Sequence, residues 1–248
     1  MAYGEVMSPQ QRAESPEATD LEHHHADVSG GWLRPAVFGG MDGLVTNIAL
    51  IAGVGGGGLP PRDILLAGSA GLIAGAISMA FGEYTSVRTQ NEQIAREIAK
   101  ERAELERNPD GEARELAQRW IKRGLPEDVV WQMAKALRDH PEEALRLHVQ
   151  EELGVSATDA PSPWIAGISS FICFSIGGVV PLLPYFFGSP PLWLALAVGG
   201  VGLALAGALA ARFTGRPRWF GAGRQLLLGG AAAGATYLIG TAIGVTVA

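Results

Sequence analysis

The pattern of apolar residues divides the chain into long, nearly uncharged stretches on either side of a highly charged centre. Five stretches reach the length of about 20 residues that a helix needs to cross the hydrocarbon core of a membrane. They are residues 36–54, 64–84, 164–187, 192–211 and 225–247. No acidic residue follows Asp159, and soluble folds rarely omit acids over such a span. The pattern therefore predicts five transmembrane helices.

A densely charged segment, residues 91–160, follows the second apolar stretch and is here named the inserted module. It has helical periodicity and contains three breakers: Asn108-Pro109, Gly124-Leu125-Pro126 and His140-Pro141. These predict several short helices. Neither Gly nor Pro lies between Gly82 and Asn108, so the second membrane helix should run unbroken into the module.

The predicted fold class is an all-α membrane protein: five transmembrane helices, with a helical domain inserted between helices two and three. The predicted domains are a tail over residues 1–31, helices one and two over 32–90, the inserted module over 91–160, and helices three to five over 161–248. Pro181 and Pro184 predict a broken outer end of the third helix.

Composition and charge narrow the function. The hydrophobic fraction is 48%, and the net charge of −6 comes from the tail and the centre. There is no basic patch of the kind that nucleic acid requires, so we expect no nucleic-acid binding. The tail is rich in Pro, Glu, Ser and Gln, which predicts disorder. His23, His24 and His25 could bind a metal there, but a solvated tail is the favoured interpretation.

Charge also predicts the orientation. Four arginines stand in a loop between the fourth and fifth apolar stretches: Arg212, Arg216, Arg218 and Arg224. By the positive-inside rule this loop is cytoplasmic, and counting crossings back from it places the N-terminus and the inserted module in the cytoplasm. Abundant Ala, Gly and Arg with few Lys favours a bacterial plasma membrane.

Three residues carry chemistry at membrane depth. Asp42 lies about two turns into the first helix, where a carboxylate costs a few kcal/mol unless it faces a partner or a polar pathway. Met79 and Glu83 lie one turn apart on one face of the second helix. Carboxylates with a thioether suit a divalent transition metal. The alternative places Asp42 at the interface, in contact with water.

Two acidic pairs mark the inserted module: Glu101 with Glu104, and Glu112 with Glu115. Each pair is spaced i, i+3 and shares a helix face. The intervening turn would fold the two helices together, and His148 and Glu152 would arrive from the last helix of the module. Arg102, Arg107 and Arg114 relieve only part of the repulsion, so a cation among the carboxylates is the hypothesis. The alternative is a solvated face of ordinary ion pairs.

Three motifs resemble the vacuolar iron transporter family: residues 41–46 (MDGLVT), 78–87 (SMAFGEYTSV) and 151–154 (EELG). The resemblance runs from Trp32 to the C-terminus. It implies a homodimer of five-helix protomers that exports ferrous iron, and often manganese, from the cytoplasm in exchange for protons. It implies the pathway residues Asp42 and Met79, with Glu83 as a helper. The module ligands it implies are Glu101, Glu104, Glu112, Glu115 and Glu152.

We accordingly expect no tightly bound cofactor and no enzymatic activity. The expected substrate is Fe²⁺, Mn²⁺ or Zn²⁺, and the expected partners are the lipid bilayer, protons and a second copy of the chain. One departure from the family is that His148 and Val149 stand where plant members carry two methionines. Imidazole still binds ferrous iron or zinc, but the site loses thioether character.

Two rival functions use the same residues. Paired glutamates also build di-iron oxidases, but those use Glu-x-x-His motifs, and the inserted module contains none. A membrane-anchored metal sensor or storage protein would bind metal with the inserted module and would need no other site. Ionisable residues at membrane depth argue against it, because a sensor needs no polar pathway.

Overall fold

The computed structural model describes residues 31–154 and 160–247, with side chains described as far as Gly244. Apart from Gly31, the predicted tail lies outside the described residues, together with His23, His24 and His25. The predicted disorder of the tail therefore stays a prediction.

The described residues form nine α-helices and one 3-10 helix, without a strand. The helices are α1 (Leu33–Gly56), α2 (Pro61–Arg107), α3 (Pro109–Lys122), α4 (Glu127–Leu137), α5 (Pro141–Leu153), α6 (Pro163–Val179), the 3-10 helix (Val180–Leu182), α7 (Leu183–Phe186), α8 (Leu192–Phe213) and α9 (Arg218–Val247).

Five helical segments are long and apolar enough to cross a membrane: α1, α2, α6 with α7, α8 and α9. This confirms the all-α class and the five predicted membrane helices. One boundary was wrong, because α9 begins at Arg218 and leaves only Thr214–Pro217 between α8 and α9. Of the four arginines predicted in this loop, Arg212, Arg218 and Arg224 are helical, and Arg216 lies in the loop. Gly215, at φ +65°, turns the chain, and the fixed φ of Pro217 suits the entry into a helix.

The longest element, α2, has 47 residues and measures about 70 Å at 1.5 Å per residue. That is about twice the thickness of a hydrocarbon core, so its second half must project beyond the apolar layer. The helix ends at Asn108, whose side-chain Oδ1 accepts a hydrogen bond from the backbone N–H of Gly111 at 3.1 Å. Asn108 thereby caps α3, and the chain turns there as predicted.

The apolar segment after α6 is broken, as its prolines predicted. α6 gives way to the 3-10 helix that contains Pro181, and this interrupts the α-helical hydrogen-bond ladder inside the apolar layer. Asn47 of α1, only 2% exposed, donates from Nδ2 to the carbonyl oxygen of Gly178 at 2.6 Å. An amide from a neighbouring helix therefore satisfies a carbonyl group at the break.

Glycines let α1 and α6 pack backbone to backbone. A Cβ at Gly43 would collide with the carbonyl oxygen of Phe174, and one at Gly177 would collide with the carbonyl oxygen of Gly40. Such close approach through small residues is typical of membrane helices. The glycines on both sides of Asp42 thus fix its helix against α6.

The inserted module has an apolar core of its own. Leu116, Ala117 and Trp120 of α3 pack against Val130 and Ala134 of α4. α5 presents Ala144, Leu145, His148 and Val149 as its buried side. This packing holds α3 and α5 beside the projecting half of α2.

Candidate metal site

Three helices bring carboxylates to one imidazole nitrogen. Nδ1 of His148 on α5 lies 3.0 Å from Oε1 of Glu101 on α2, 3.8 Å from Oε2 of Glu112 on α3 and 3.8 Å from Oε1 of Glu152 on α5. Ligand atoms of Glu101, His148 and Glu152 all lie within 4.8 Å of one another. Four predicted ligands therefore converge at one point.

The centre of this cluster is buried. His148 is 1% exposed and Glu101 is 7% exposed. Nδ1 of His148 and Oε1 of Glu101 are close but not aligned, and neither has a hydrogen-bond partner among the described residues. Two ligands bonded to one divalent metal at about 2.1 Å and at right angles are about 3.0 Å apart. The spacing therefore fits two ligands of one ion.

The electrostatics of the cluster favour a cation. Burial, together with the negative charges of Glu152, Glu112, Glu104 and Glu115, raises the pKa of Glu101 to about 7. Burial and neighbouring glutamates also raise the pKa of Glu112. Burial lowers the pKa of His148 and so favours the neutral imidazole, the form that binds metals. Near neutral pH the cluster holds a proton that a divalent ion would displace.

Glu104 and Glu115 lie at the rim of the cluster. Both are exposed, and they contribute to the centre through charge. Oε1 of Glu115 forms an ion pair at 3.0 Å with Nη2 of Arg119. The same Nη2 lies 3.0 Å from Oε1 of Glu152. Sequence reasoning missed Arg119, although its i+4 spacing from Glu115 could have indicated the first ion pair.

The arginines expected to relieve the repulsion have other partners. Arg102 pairs with Glu142 through two hydrogen bonds, and Nε of Arg114 donates to the backbone oxygen of Asp110. Of the three, Arg107 acts as expected. Its positive charge lowers the pKa of Glu112 and so counteracts part of the increase caused by burial and the neighbouring glutamates. Val149, which stands at a methionine position of the family, is fully buried next to His148.

The three predicted pathway residues lie in the membrane half of the structure. Asp42 is half-buried and accepts a hydrogen bond from Oγ1 of Thr46 at 3.4 Å. Glu83 is 8% exposed, and its Oε2 lies 3.9 Å from Nη1 of Arg34. Met79 is half-buried one turn before Glu83. Among the described residues no hydrogen bond or ion pair joins these three, and Arg34 was not anticipated.

The fold is that of an all-helical integral membrane protein whose second helix extends into a folded acidic module. A family model described as the VIT family matches residues 33–241, and the chain belongs to this family, the vacuolar iron transporter family.

Named relatives agree with this family over most of their length. "Vacuolar iron transporter 1" of Oryza sativa subsp. japonica is 32% identical over 91% of this chain and 92% of its own. "Vacuolar iron transporter" of Acanthamoeba castellanii is 37% identical over 87% of this chain and 80% of its own. "Vacuolar iron transporter 1" of Tulipa gesneriana is 30% identical over 92% and 95%.

Proposed function

We propose that this chain transports divalent transition-metal ions out of the cytoplasm in exchange for protons. The proposed main substrate is Fe²⁺, and Mn²⁺ is a further substrate. In this proposal the inserted module binds the ion through Glu101, Glu104, Glu112, Glu115, His148 and Glu152. The ion then passes to Asp42, Met79 and Glu83, in a homodimer. The names of the relatives support iron as the substrate.

The observation that carries the proposal is the continuity of α2. One helix of 47 residues bears Met79 and Glu83 in its apolar half and Glu101 in its charged half. At 1.5 Å per residue, Glu101 lies about 27 Å along the helix from Glu83. The module is therefore attached rigidly in front of the membrane residues, which suits a site that collects ions and delivers them.

The orientation of the protein is argued from charge. Trp32 at the start of α1 and Phe213 at the end of α8 line one apolar crevice, so the arginines around Phe213 lie at the same face as Arg34. Arg34 is close to Glu83, which lies near the end of the apolar half of α2. The positive-inside rule makes this face cytoplasmic, together with the module. A bacterial plasma membrane stays the prediction from composition, whereas the named relatives are vacuolar.

The chemistry of the ligands provides the coupling to protons. Carboxylates give up protons when they bind a metal ion, so metal entry at a protonated site drives protons off. The pKa of Glu101, raised to about 7, supports such an exchange near physiological pH. At Asp42, uptake of a proton from the far side would release the ion there.

The test is ferrous iron flux into liposomes that contain the purified protein, with and without an acidic interior, while internal pH is recorded. We expect iron entry that depends on the gradient and is matched by proton exit. Asp42→Asn should lower the flux about tenfold or more, as loss of a group at a metal site does. Asp63→Asn is the matched control, because Asp63 is an exposed acid in the first turn of α2.

Each rival function gives a different result. Unchanged flux in Asp42→Asn would exclude Asp42 from the pathway. Iron that binds outside but never enters would identify a membrane-anchored sensor or storage protein. An oxygen-dependent ferric product in detergent would identify a ferroxidase, although no Glu-x-x-His motif occurs in the described part of the module.

A further inference from the structure

The guanidinium of Arg119 contacts two predicted metal ligands at the same time. Its Nη2 lies 3.0 Å from Oε1 of Glu115 and 3.0 Å from Oε1 of Glu152. Its Nη1 lies 3.5 Å from the backbone oxygen of Glu151. A permanent cation thus already stands at the edge of the carboxylate cluster.

We propose that Arg119 is a displaceable internal cation, which neutralises Glu115 and Glu152 in the metal-free module and must leave them when a divalent ion binds. The proposal rests on the proposed function, because it concerns the affinity of that same site. Arg119 is a positioning residue that acts through Glu115 and Glu152. It does not bind the metal itself, because a guanidinium has no acceptor atom and stays charged in proteins.

Competition for one oxygen atom supports the displacement. Oε1 of Glu152, the atom that contacts Arg119, also lies 3.8 Å from Nδ1 of His148. An ion held by His148 and Glu101 would reach Glu152 through this oxygen. The ion would then lie close to the guanidinium, and two positive charges at such a distance repel each other. Metal and Arg119 therefore compete for this oxygen of Glu152.

Arg119 has room to move when this happens. Its side chain is 36% exposed, and Glu115, one turn earlier on α3, is 52% exposed. Its Nη1 contact is to a backbone oxygen of Glu151, which takes no part in the predicted site. The guanidinium can turn towards solvent without opening the apolar core of the module. On release of the ion it returns, which keeps the affinity low enough for delivery.

The test measures the Mn²⁺ affinity of the full-length protein in detergent and of its variants Arg119→Gln and Arg123→Gln. Electron paramagnetic resonance reports the concentration of free Mn²⁺. Arg123 is the matched control, since it lies one turn further along and pairs with Glu151, outside the predicted ligand set. We expect Arg119→Gln to bind Mn²⁺ about three- to tenfold more tightly, as loss of two partly exposed competing ion pairs implies. Arg123→Gln should stay close to the unsubstituted protein.

Two further measurements separate displacement from a structural role. Arg119→Lys keeps the positive charge but loses the planar, forked arrangement of guanidinium donors. Its Mn²⁺ affinity should lie between those of the unsubstituted protein and Arg119→Gln. Arg119→Gln should melt at a lower temperature without metal, and saturating Mn²⁺ should narrow that difference. A structural role would instead weaken binding.

The outcomes are distinct. Equal affinities in Arg119→Gln and Arg123→Gln, or weaker binding in Arg119→Gln, would overturn the displaceable cation while the metal site stands. Absence of Mn²⁺ binding in the unsubstituted protein would overturn the proposed site itself, and this proposal with it.

Discussion

Nδ1 of His148 and Oε1 of Glu101 lie 3.0 Å apart in the interior of the module, and in the part of the chain that the structure describes neither atom has a hydrogen-bond partner. Buried polar groups are ordinarily satisfied, and each one that is not costs stability. Glu112 and Glu152 add negative charge within 3.8 Å of the same nitrogen. A divalent ion would satisfy all of these groups together, and on this ground we propose a binding site here rather than a solvated face.

Replacing the central carboxylate should weaken metal binding. In Glu101→Gln one charged ligand is lost while the shape is kept, and we expect Mn²⁺ affinity to fall about tenfold to a hundredfold. Glu97→Gln is the control, because Glu97 lies one turn earlier on α2 and, among the described residues, pairs with Lys100 alone. Titration calorimetry measures both variants. Equal losses in the two would show that the effect comes from overall charge.

Metal binding should also depend on pH in a defined window. The pKa of Glu101 is raised to about 7, so the proton stays on below that pH and competes with the metal. Affinity should therefore rise about tenfold between pH 6 and pH 8. Burial lowers the pKa of His148 and favours its neutral form, so the imidazole contributes less to this dependence than one with an ordinary pKa would. In Glu101→Gln the residual binding should lose most of this dependence, and an unchanged slope would assign the proton elsewhere.

The amide at the break of α6 should stabilise the membrane half. Asn47→Leu removes the donor to the carbonyl oxygen of Gly178, and a buried acceptor left unsatisfied costs about 1–3 kcal/mol. We expect a lower melting temperature in detergent. Thr241→Val is the control, since Oγ1 of Thr241 donates to a carbonyl oxygen of its own helix, that of Tyr237. A stable Asn47→Leu protein would mean that another group replaces the amide.

The contact between α1 and α6 should tolerate no side chain. Gly43→Ala places a Cβ against the carbonyl oxygen of Phe174, and overpacking of this kind costs about 1–3 kcal/mol. Gly82→Ala is the matched control on α2, where a Cβ has open space and alanine favours the helix. Thermal melting of both variants checks this. Similar melting temperatures would show that the helices separate easily.

The sequence by itself determined the elements that depend on local pattern. Uncharged stretches of about 20 residues are membrane helices because an apolar layer admits little else. Pro181 interrupts the third membrane helix. α2 is continuous because neither Gly nor Pro occurs between Gly82 and Asn108. The acidic pairs were found for the same reason, since i, i+3 spacing fixes a shared face within one helix. The start of α9 was missed, because arginines are compatible with both a loop and a helix.

Only the tertiary structure decided which of these groups meet. It paired His148 with Glu101, Arg119 with Glu152 and Arg34 with Glu83, each across two different helices. The angles at which the helices leave their turns decide such contacts. In the module those angles follow from the packing of Leu116, Trp120 and their neighbours rather than from any local period. The sequence determined which ligands each helix offers, whereas the packing of helix against helix decided where they converge.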